Sequence, residues 1–381
     1  MKIKRNVYIL FTIIFLQGFV FYGPIATLYR QSRGLGLGEI FLIESCCLAI
    51  MILLEIPWGW IADRIGYKRT LILANGFFFI SKIIFWRAFG FYSFLLERIF
   101  LAVAVSGISG CDQALLYESI DNKNSDKVFS HYAMISSLGF LLASGISSFI
   151  IQFGMEWTSF FTIFPYGISL ILSFFLKDLD HLKKSNTSIF KNIKVAISNK
   201  NIVYIVVAAA MLFEINQAIT VFLNQNLYIK ASIPITYFGL ILIIVQIVRL
   251  SAGKSYKLVR RFGNFNTLLA ICLLIGIICS LLIFTKSPFV AILGVASIAG
   301  LVSISQPIVS DFQNKSISSG DRATLLSIYA MIIDCIGIPS NIIIGRFSNI
   351  NFVYGFAICS MMAVLALLFV YLAKKSISSN S

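Results

Sequence analysis

Residues 59–69, GWIADRIGYKR, form a short charged loop between two apolar runs, Ile40–Trp60 and Leu71–Phe89. Each run has about 20 residues, the length that a helix needs to cross the hydrocarbon core of a bilayer. Two such runs joined by a short loop predict a pair of membrane-spanning helices with the loop at one face of the membrane.

The whole chain has the composition of a membrane protein. Of its 381 residues, 58% are hydrophobic and 12% are charged, and the mean hydropathy is +0.89. A soluble domain has about 45–50% apolar and 25% charged residues, so a soluble globular protein is excluded. The seven cysteines lie in apolar runs and there are two histidines, which supports neither a disulfide framework nor a metal site. No cofactor-binding motif is present in the sequence.

Apolar runs of spanning length recur along the chain in two groups of six. They are Val7–Leu28, Ile40–Trp60, Leu71–Phe89, Phe91–Gln113, Tyr132–Phe153 and Trp157–Leu176, then Ile202–Leu223, Ile235–Ala252, Thr267–Phe284, Pro288–Val309, Leu325–Ile344 and Phe352–Ala373. The sequence therefore predicts an all-α integral membrane protein with 12 transmembrane helices.

The predicted domains are an N-terminal six-helix bundle (1–176), a basic cytoplasmic linker (177–201) and a C-terminal six-helix bundle (202–381). The tripeptide Tyr-Ala-Met occurs at 132–134 and again at 329–331, at the start of the fifth span of each half. This placement is what an internal 6+6 repeat requires.

Basic residues predict the orientation of the spans. If the amino terminus is cytoplasmic, about 22 of the 31 Lys and Arg residues fall on the inner side, so both termini are expected in the cytoplasm. The net charge of +15 is dispersed between apolar runs, which argues against a nucleic-acid partner. The abundance of Lys and Ile is typical of an AT-rich bacterial genome, so the expected location is a bacterial inner (plasma) membrane.

The 59–69 loop carries a family motif. Its pattern is Gly-x-x-x-Asp-Arg/Lys-x-Gly-x-Arg/Lys-Arg/Lys, here Gly59, Asp63, Arg64, Gly66, Lys68 and Arg69. The chain thereby resembles the major facilitator superfamily and, within it, the bacterial drug and small-molecule efflux branch, although its fifth span lacks the proline of the antiporter motif. The resemblance implies a secondary transporter without a cofactor.

The chemistry of the loop suggests a latch, meaning a contact that forms in one conformational state only. Gly59 and Asp63 share a helix face, where Gly59 allows close helix approach and Asp63 can face a helix N-terminus. The basic residues of the loop can pair with Asp112 or Glu118. The alternative is a basic cytoplasmic loop without this role.

Two acidic residues are predicted near the membrane midplane, where a charge costs at least about 2.5–3.5 kcal/mol. Glu214 lies in span seven with Gln217 on its face, and Asp334 lies in span eleven with Asn341 on its face. Glu214 is the first candidate for binding a substrate cation or for proton coupling, and Asp334 for a second protonation site or a gate. Structural roles remain open for both.

A third group of charges lies near the outer membrane face. Glu44, Lys82, Glu97 and Arg98 reach a similar depth in spans two, three and four. Two acids and two bases at one depth predict a buried ion-pair cluster in the N-terminal bundle, with a structural role.

The function expected from these features is secondary transport of a small molecule by alternating access. Proton-coupled efflux of a lipophilic or cationic compound is the first interpretation. The alternative is a proton-coupled importer, or a dedicated exporter of a specific metabolite or peptide-like product. A membrane sensor is less favoured, and an enzyme is not expected because no nucleophile and base are placed together. The expected partners are membrane lipid, the substrate and protons, and a monomer is expected.

Overall fold

The computed structural model describes residues 2–120, 125–177, 200–315 and 322–378, and within these ranges the chain is helical with no β-strand. In the first half, the helices are α1 Lys2–Gln17, α2 Ala26–Ser32, α3 Leu37–Ile65, α4 Tyr67–Arg87, α5 Gly90–Ile108, α6 Cys111–Glu118, α7 Ser125–Ile150 and α8 Met155–Phe174. In the second half, they are α9 Lys200–Gln217, α10 Asn224–Lys230, α11 Phe238–Arg249, α12 Ser255–Phe262, α13 Asn264–Phe284, α14 Pro288–Lys315, α15 Arg322–Ile350 and α16 Phe352–Ser378.

Within the described ranges, ten helical segments are long and apolar enough to cross a membrane. The first and eighth predicted spans are represented by shorter apolar helices. In the first, α1 ends at Gln17 and helical structure resumes with a 3₁₀ turn at Gly23–Ile25. Pro24 lies in the first turn of this 3₁₀ helix, a position where its missing backbone N–H is tolerated. Hydropathy alone does not reveal the interruption.

The chain packs as two compact units. Unit 1 comprises Met1–Leu35, Cys46–Ser185 and Ile235–Ile243, and unit 2 comprises Gly36–Ser45, Asn186–Pro234 and Ile244–Ser381. Helices α3 and α11 therefore each contribute to both units. The division into bundles at 1–176 and 202–381 stays a prediction, and most of the predicted linker, 178–199, lies outside the described residues.

Unit 1 contains a close crossing of α1 and α7. A Cβ atom on Gly139 would overlap the carbonyl oxygen of Phe15, and one on Gly18 would lie 2.8 Å from the backbone nitrogen of Phe140. Only residues without a side chain allow backbones to approach this closely in a membrane bundle. Below the crossing, Leu10, Leu115 and other buried side chains form a core.

Unit 2 is organised around the segment Lys200–Lys230, whose span is 56% buried, the largest share among the ten. Val206 of α9 packs with Leu325 and Tyr329 of α15. Between α9 and α10 the chain forms a π-helical segment, Ala218–Leu223. Such segments are rare and often occur at functional sites.

Candidate functional site

Glu214 is the most deeply enclosed of the described acidic residues of unit 2. It lies on α9, its side chain is 1% exposed, and Asn341 of α15 donates from Nδ2 to its Oε2 at 3.0 Å. Asn341 is itself fully buried. Among the described residues, no Lys, Arg or His nitrogen lies within 4.0 Å of the Glu214 carboxyl. The group is therefore held by an amide and not by a cation.

Gln217 connects α9 to a second carboxyl group. Its Nε2 donates to Oε1 of Glu44 at 3.1 Å, and Glu44 is 8% exposed. Gln217 follows Glu214 by three residues on α9, so both face the same side of the helix. Glu44 belongs to the segment Gly36–Ser45, which is part of unit 2.

Asp334 lies on α15, half-buried and one heptad before Asn341. The carboxyl groups of Glu44 and Asp334 are the acidic groups that act electrostatically on Glu214. Three of the predicted site residues thus lie in two hydrogen-bonded pairs, Glu214 with Asn341 and Gln217 with Glu44. The nearby base Arg249 donates to the Thr220 hydroxyl of the π-helical segment at 3.1 Å.

The predicted latch residues lie where α3 ends and α4 begins. Gly66 has a φ of +87°, a conformation that favours glycine. Asp63, Arg64 and Arg69 are exposed, Lys68 is half-buried, and the Arg64 guanidinium lies 3.8 Å from the centre of the Trp60 ring. This places the loop at the surface of unit 1.

Two expected contacts of the latch are not formed in this structure. A Cβ on Gly59 would meet no described atom within 4 Å, so no helix packs closely there. No ion pair joins the basic residues of the loop to Asp112 or Glu118 among the described residues. The Asp112 carboxylate instead accepts a hydrogen bond from the Tyr132 hydroxyl at 2.9 Å. Both residues belong to unit 1.

Comparison with known proteins agrees with this fold and these motifs. The family model described as Major Facilitator Superfamily matches residues 7–340. The chain belongs to the major facilitator superfamily. Membership of this superfamily of membrane transporters agrees with the spanning helices and with the expectation that the chain is not an enzyme.

Individual relatives of this superfamily member are distant. It is 23% identical over 270 residues to Multidrug resistance protein 2 of Bacillus subtilis, covering 66% of this chain and 65% of that protein. It is 22% identical over 352 residues to an uncharacterized MFS-type transporter of Methanocaldococcus jannaschii, covering 87% and 88%. The chain thus spans slightly less than two thirds of the Bacillus relative.

Solved structures share the fold of this superfamily member. The nucleoside transporter NupG (D323A mutant) superposes with a TM-score of 0.82 at 16% identity, covering 97% of this chain and 99% of that one. A D-xylose-proton symporter superposes with a TM-score of 0.74 at 17% identity, covering 97% and 98%. At these identities the similarity shows the fold alone.

The predicted ion-pair cluster of this transporter is only partly formed. Glu97 and Arg98 are paired at 3.7 Å. Lys82, 3% exposed, donates to the Tyr22 hydroxyl at 2.9 Å and lies 4.9 Å from the centre of the Tyr166 ring. None of the described carboxylates lies within 4.0 Å of its ammonium group. The prediction that Lys82 pairs with a carboxylate was wrong. Aromatic ring faces and a hydroxyl group surround its ammonium group instead.

Two pockets are lined by residues that were not predicted as site residues. In unit 1, a wholly apolar pocket of about 610 Å³ is lined by α1, α7 and α8, with Phe15, Phe21 and Phe164 in its wall. In unit 2, a pocket of about 250 Å³ is lined by α9, α14 and α15 and includes Gln306 and Ser310. The pocket of unit 2 could have been recognised from the sequence, because polar residues repeat along one face of an apolar run.

Proposed function

We propose that this chain is a proton-coupled secondary transporter in which Glu214 carries the coupling proton. The observation behind the proposal is the burial of Glu214 at 1% exposure with an amide as its hydrogen-bond partner and no cation within 4.0 Å among the described residues. A charged carboxylate buried without a cation is costly, so the protonated form is favoured in this conformation.

The geometry of Asn341 supports the same state. Its Nδ2 donates to Glu214, whereas its Oδ1 is buried and has no hydrogen-bond partner among the described residues. A protonated carboxyl group has an O–H donor that a carboxylate lacks. A carboxylic acid facing a primary amide can therefore satisfy both groups with two hydrogen bonds, and Asn341 is satisfied best when Glu214 holds a proton.

The proposal includes a role for Gln217, Glu44 and Asp334. Gln217 joins the helix of Glu214 to Glu44, and Asp334 lies on the helix of Asn341. Loss of the proton from Glu214 adds a negative charge beside these two carboxyl groups, which favours a rearrangement that brings in water or a cation. Proton release is thereby linked to a change in helix contacts, as alternating access requires.

The topology expected from the sequence forms part of the proposal. The ten spanning segments, together with the interrupted α1–α2 region and the short α11, give the 12 crossings of a 6+6 transporter. The excess of Lys and Arg on the loops taken as inner supports a cytoplasmic position for both termini. The 59–69 loop acts as the latch in a conformation other than the one described here.

Export of a lipophilic or cationic compound is a second, finer candidate. It is favoured by the apolar pocket of about 610 Å³ in unit 1, a volume within the range of about 300–1,000 Å³ typical of drug-sized ligands. The relative named Multidrug resistance protein 2 is consistent with it. The apolar pocket has no charged residue in its wall, so it favours the lipophilic over the cationic class.

The coupling role can be tested in everted membrane vesicles that hold an acidic lumen reported by a pH-sensitive dye. Compounds of both classes, lipophilic cations and small neutral molecules, are added to wild type, Glu214→Gln and Glu156→Gln. Glu156 is a matched control because its side chain is 63% exposed in unit 1. Gradient dissipation in wild type and Glu156→Gln but not in Glu214→Gln is expected, and an equal response in all three would refute the coupling role.

A further inference from the structure

The pocket of unit 2 contains a polar stripe. On α14, Gln306, Ser310 and Gln313 are spaced at i, i+4 and i+7, so they lie on one helix face. All three line the pocket of about 250 Å³. Polar side chains in a membrane-spanning helix face the bundle interior or a water-filled cavity, since hydrocarbon does not hydrogen-bond them. The stripe therefore marks a cavity that binds polar groups.

The hydrogen-bonding capacity of the pocket is partly unused. The Ser305 hydroxyl donates to the carbonyl oxygen of Val302 at 2.7 Å. Gln306 and Ser310 are exposed, and neither side chain hydrogen-bonds to another described residue. Together they offer the two N–H donors and the carbonyl acceptor of an amide, plus a hydroxyl that can donate or accept.

The remaining wall of the pocket is apolar and carries one aromatic ring. Phe213 of α9 is 38% exposed and lies in this wall with Val302, Val309 and Ile333. The lining contains no Asp, Glu, Lys, Arg or His. An organic cation entering it would lose hydration without gaining a carboxylate, whereas a neutral molecule with a flat face and polar edges would match both the ring and the amide.

The pocket is also small. Drug-sized ligands occupy pockets of about 300–1,000 Å³, and this one has about 250 Å³. We propose that this pocket is a substrate subsite for a compact neutral molecule, built on a single ring and bearing hydroxyl, carbonyl or amide groups, which Gln306 and Ser310 bind by hydrogen bonds.

The inference rests on the proposed function, because it names the substrate class of the transport that Glu214 drives. Phe213, in the pocket wall, directly precedes Glu214 on α9. A ligand that stacks on Phe213 thus contacts the same helix turn that carries the coupling proton. Substrate binding and proton binding can then influence each other through the position of α9.

The test measures ligand binding without proton transport. The unfolding temperature of the full chain in detergent is measured with D-xylose or uracil as neutral probes and with tetraphenylphosphonium as a lipophilic cation. Three variants are compared: Gln306→Leu and Ser310→Ala in the pocket, and Gln152→Leu as a control for loss of an exposed glutamine amide in unit 1.

At saturating ligand, at least one neutral probe is expected to raise the unfolding temperature of the wild type by about 2–4 °C. The rise should persist in Gln152→Leu and disappear in Gln306→Leu. Ser310→Ala should reduce it, which keeps the test valid if Gln306→Leu folds poorly. The assignment would be overturned if no neutral probe stabilised the wild type, or if tetraphenylphosphonium alone did so. It would also be overturned if a neutral probe stabilised both pocket variants as much as the wild type.

The two proposals fail in different ways. If a neutral probe stabilises the wild type through Gln306 but the vesicle assay shows no effect of Glu214→Gln, the pocket stands and the coupling role does not. If Glu214→Gln abolishes gradient dissipation by a lipophilic compound while no neutral probe binds, the coupling role stands and the pocket assignment is wrong.

Discussion

The crossing of α1 and α7 gives a prediction whose size can be worked from the structure. In Gly139→Ala the new Cβ would overlap the Phe15 carbonyl oxygen, which is a backbone atom and cannot move without α1. Overpacking of this kind costs about 1–3 kcal/mol. Replacing glycine by alanine in a helix returns about 0.5–1 kcal/mol. We therefore expect Gly139→Ala to lower the free energy of unfolding by up to about 2.5 kcal/mol.

Gly145→Ala is the matched control on the same helix. Its Cβ would meet the Ile243 side chain at 3.5 Å, which is an ordinary contact. The control should therefore be neutral or stabilised by about 0.5–1 kcal/mol.

The measurement is thermal unfolding of the purified protein in detergent, followed by tryptophan fluorescence. A loss of 1 kcal/mol lowers the unfolding temperature by about 2–4 °C in chains of 150–250 residues and by no more than that in a longer one. Gly139→Ala should thus unfold a few degrees below wild type and further below Gly145→Ala. Equal unfolding temperatures for the two variants would show that the helices do not cross as closely as described.

Three further predictions concern charged and polar residues. Asp63→Asn should leave folding and insertion intact but slow turnover, because the latch contact is specific to one state; unchanged transport at equal expression would remove that role. Tyr22→Phe should lower the stability of the wild type by about 1–3 kcal/mol, because the buried Lys82 ammonium loses its hydroxyl acceptor. The loss should be smaller in a Lys82→Met background. Equal losses in the two backgrounds of this double-mutant cycle would contradict the contact. Asn341→Leu should abolish coupled transport and lower stability by about 1–3 kcal/mol, because Glu214 loses its amide donor; wild-type vesicle activity in that variant would count against the proposed state of Glu214.

Much of the fold could be predicted because a membrane span is encoded by length and hydropathy. Runs of about 20 apolar residues predict helices without knowledge of their partners. The break between α1 and α2 was missed for the same reason. Gly18–Tyr22 is as apolar as its surroundings, so a hydropathy count does not register that the helix has ended.

The candidate site was predicted in part. Glu214 could be recognised because a lone charge in an apolar run is costly and hence conspicuous. Its pairing with Asn341 joins residues 127 positions apart, which no local pattern encodes. The hydrogen bond between Gln217 and Glu44 could not be predicted either, because depth along a span fixes the level of a side chain but not the direction in which it points.

The π-helical segment Ala218–Leu223 has a consequence for comparing this chain with its relatives. A π-type turn is an α-helix that has gained one residue, and each residue of an α-helix turns the chain by about 100°. In a homologue without the extra residue, every position from Asn224 onward corresponds to a neighbour one step away in this chain. An alignment that omits a single gap after Gln217 would therefore assign the polar residues of α10 to the wrong helix face, and mutations transferred through it would test side chains that point elsewhere.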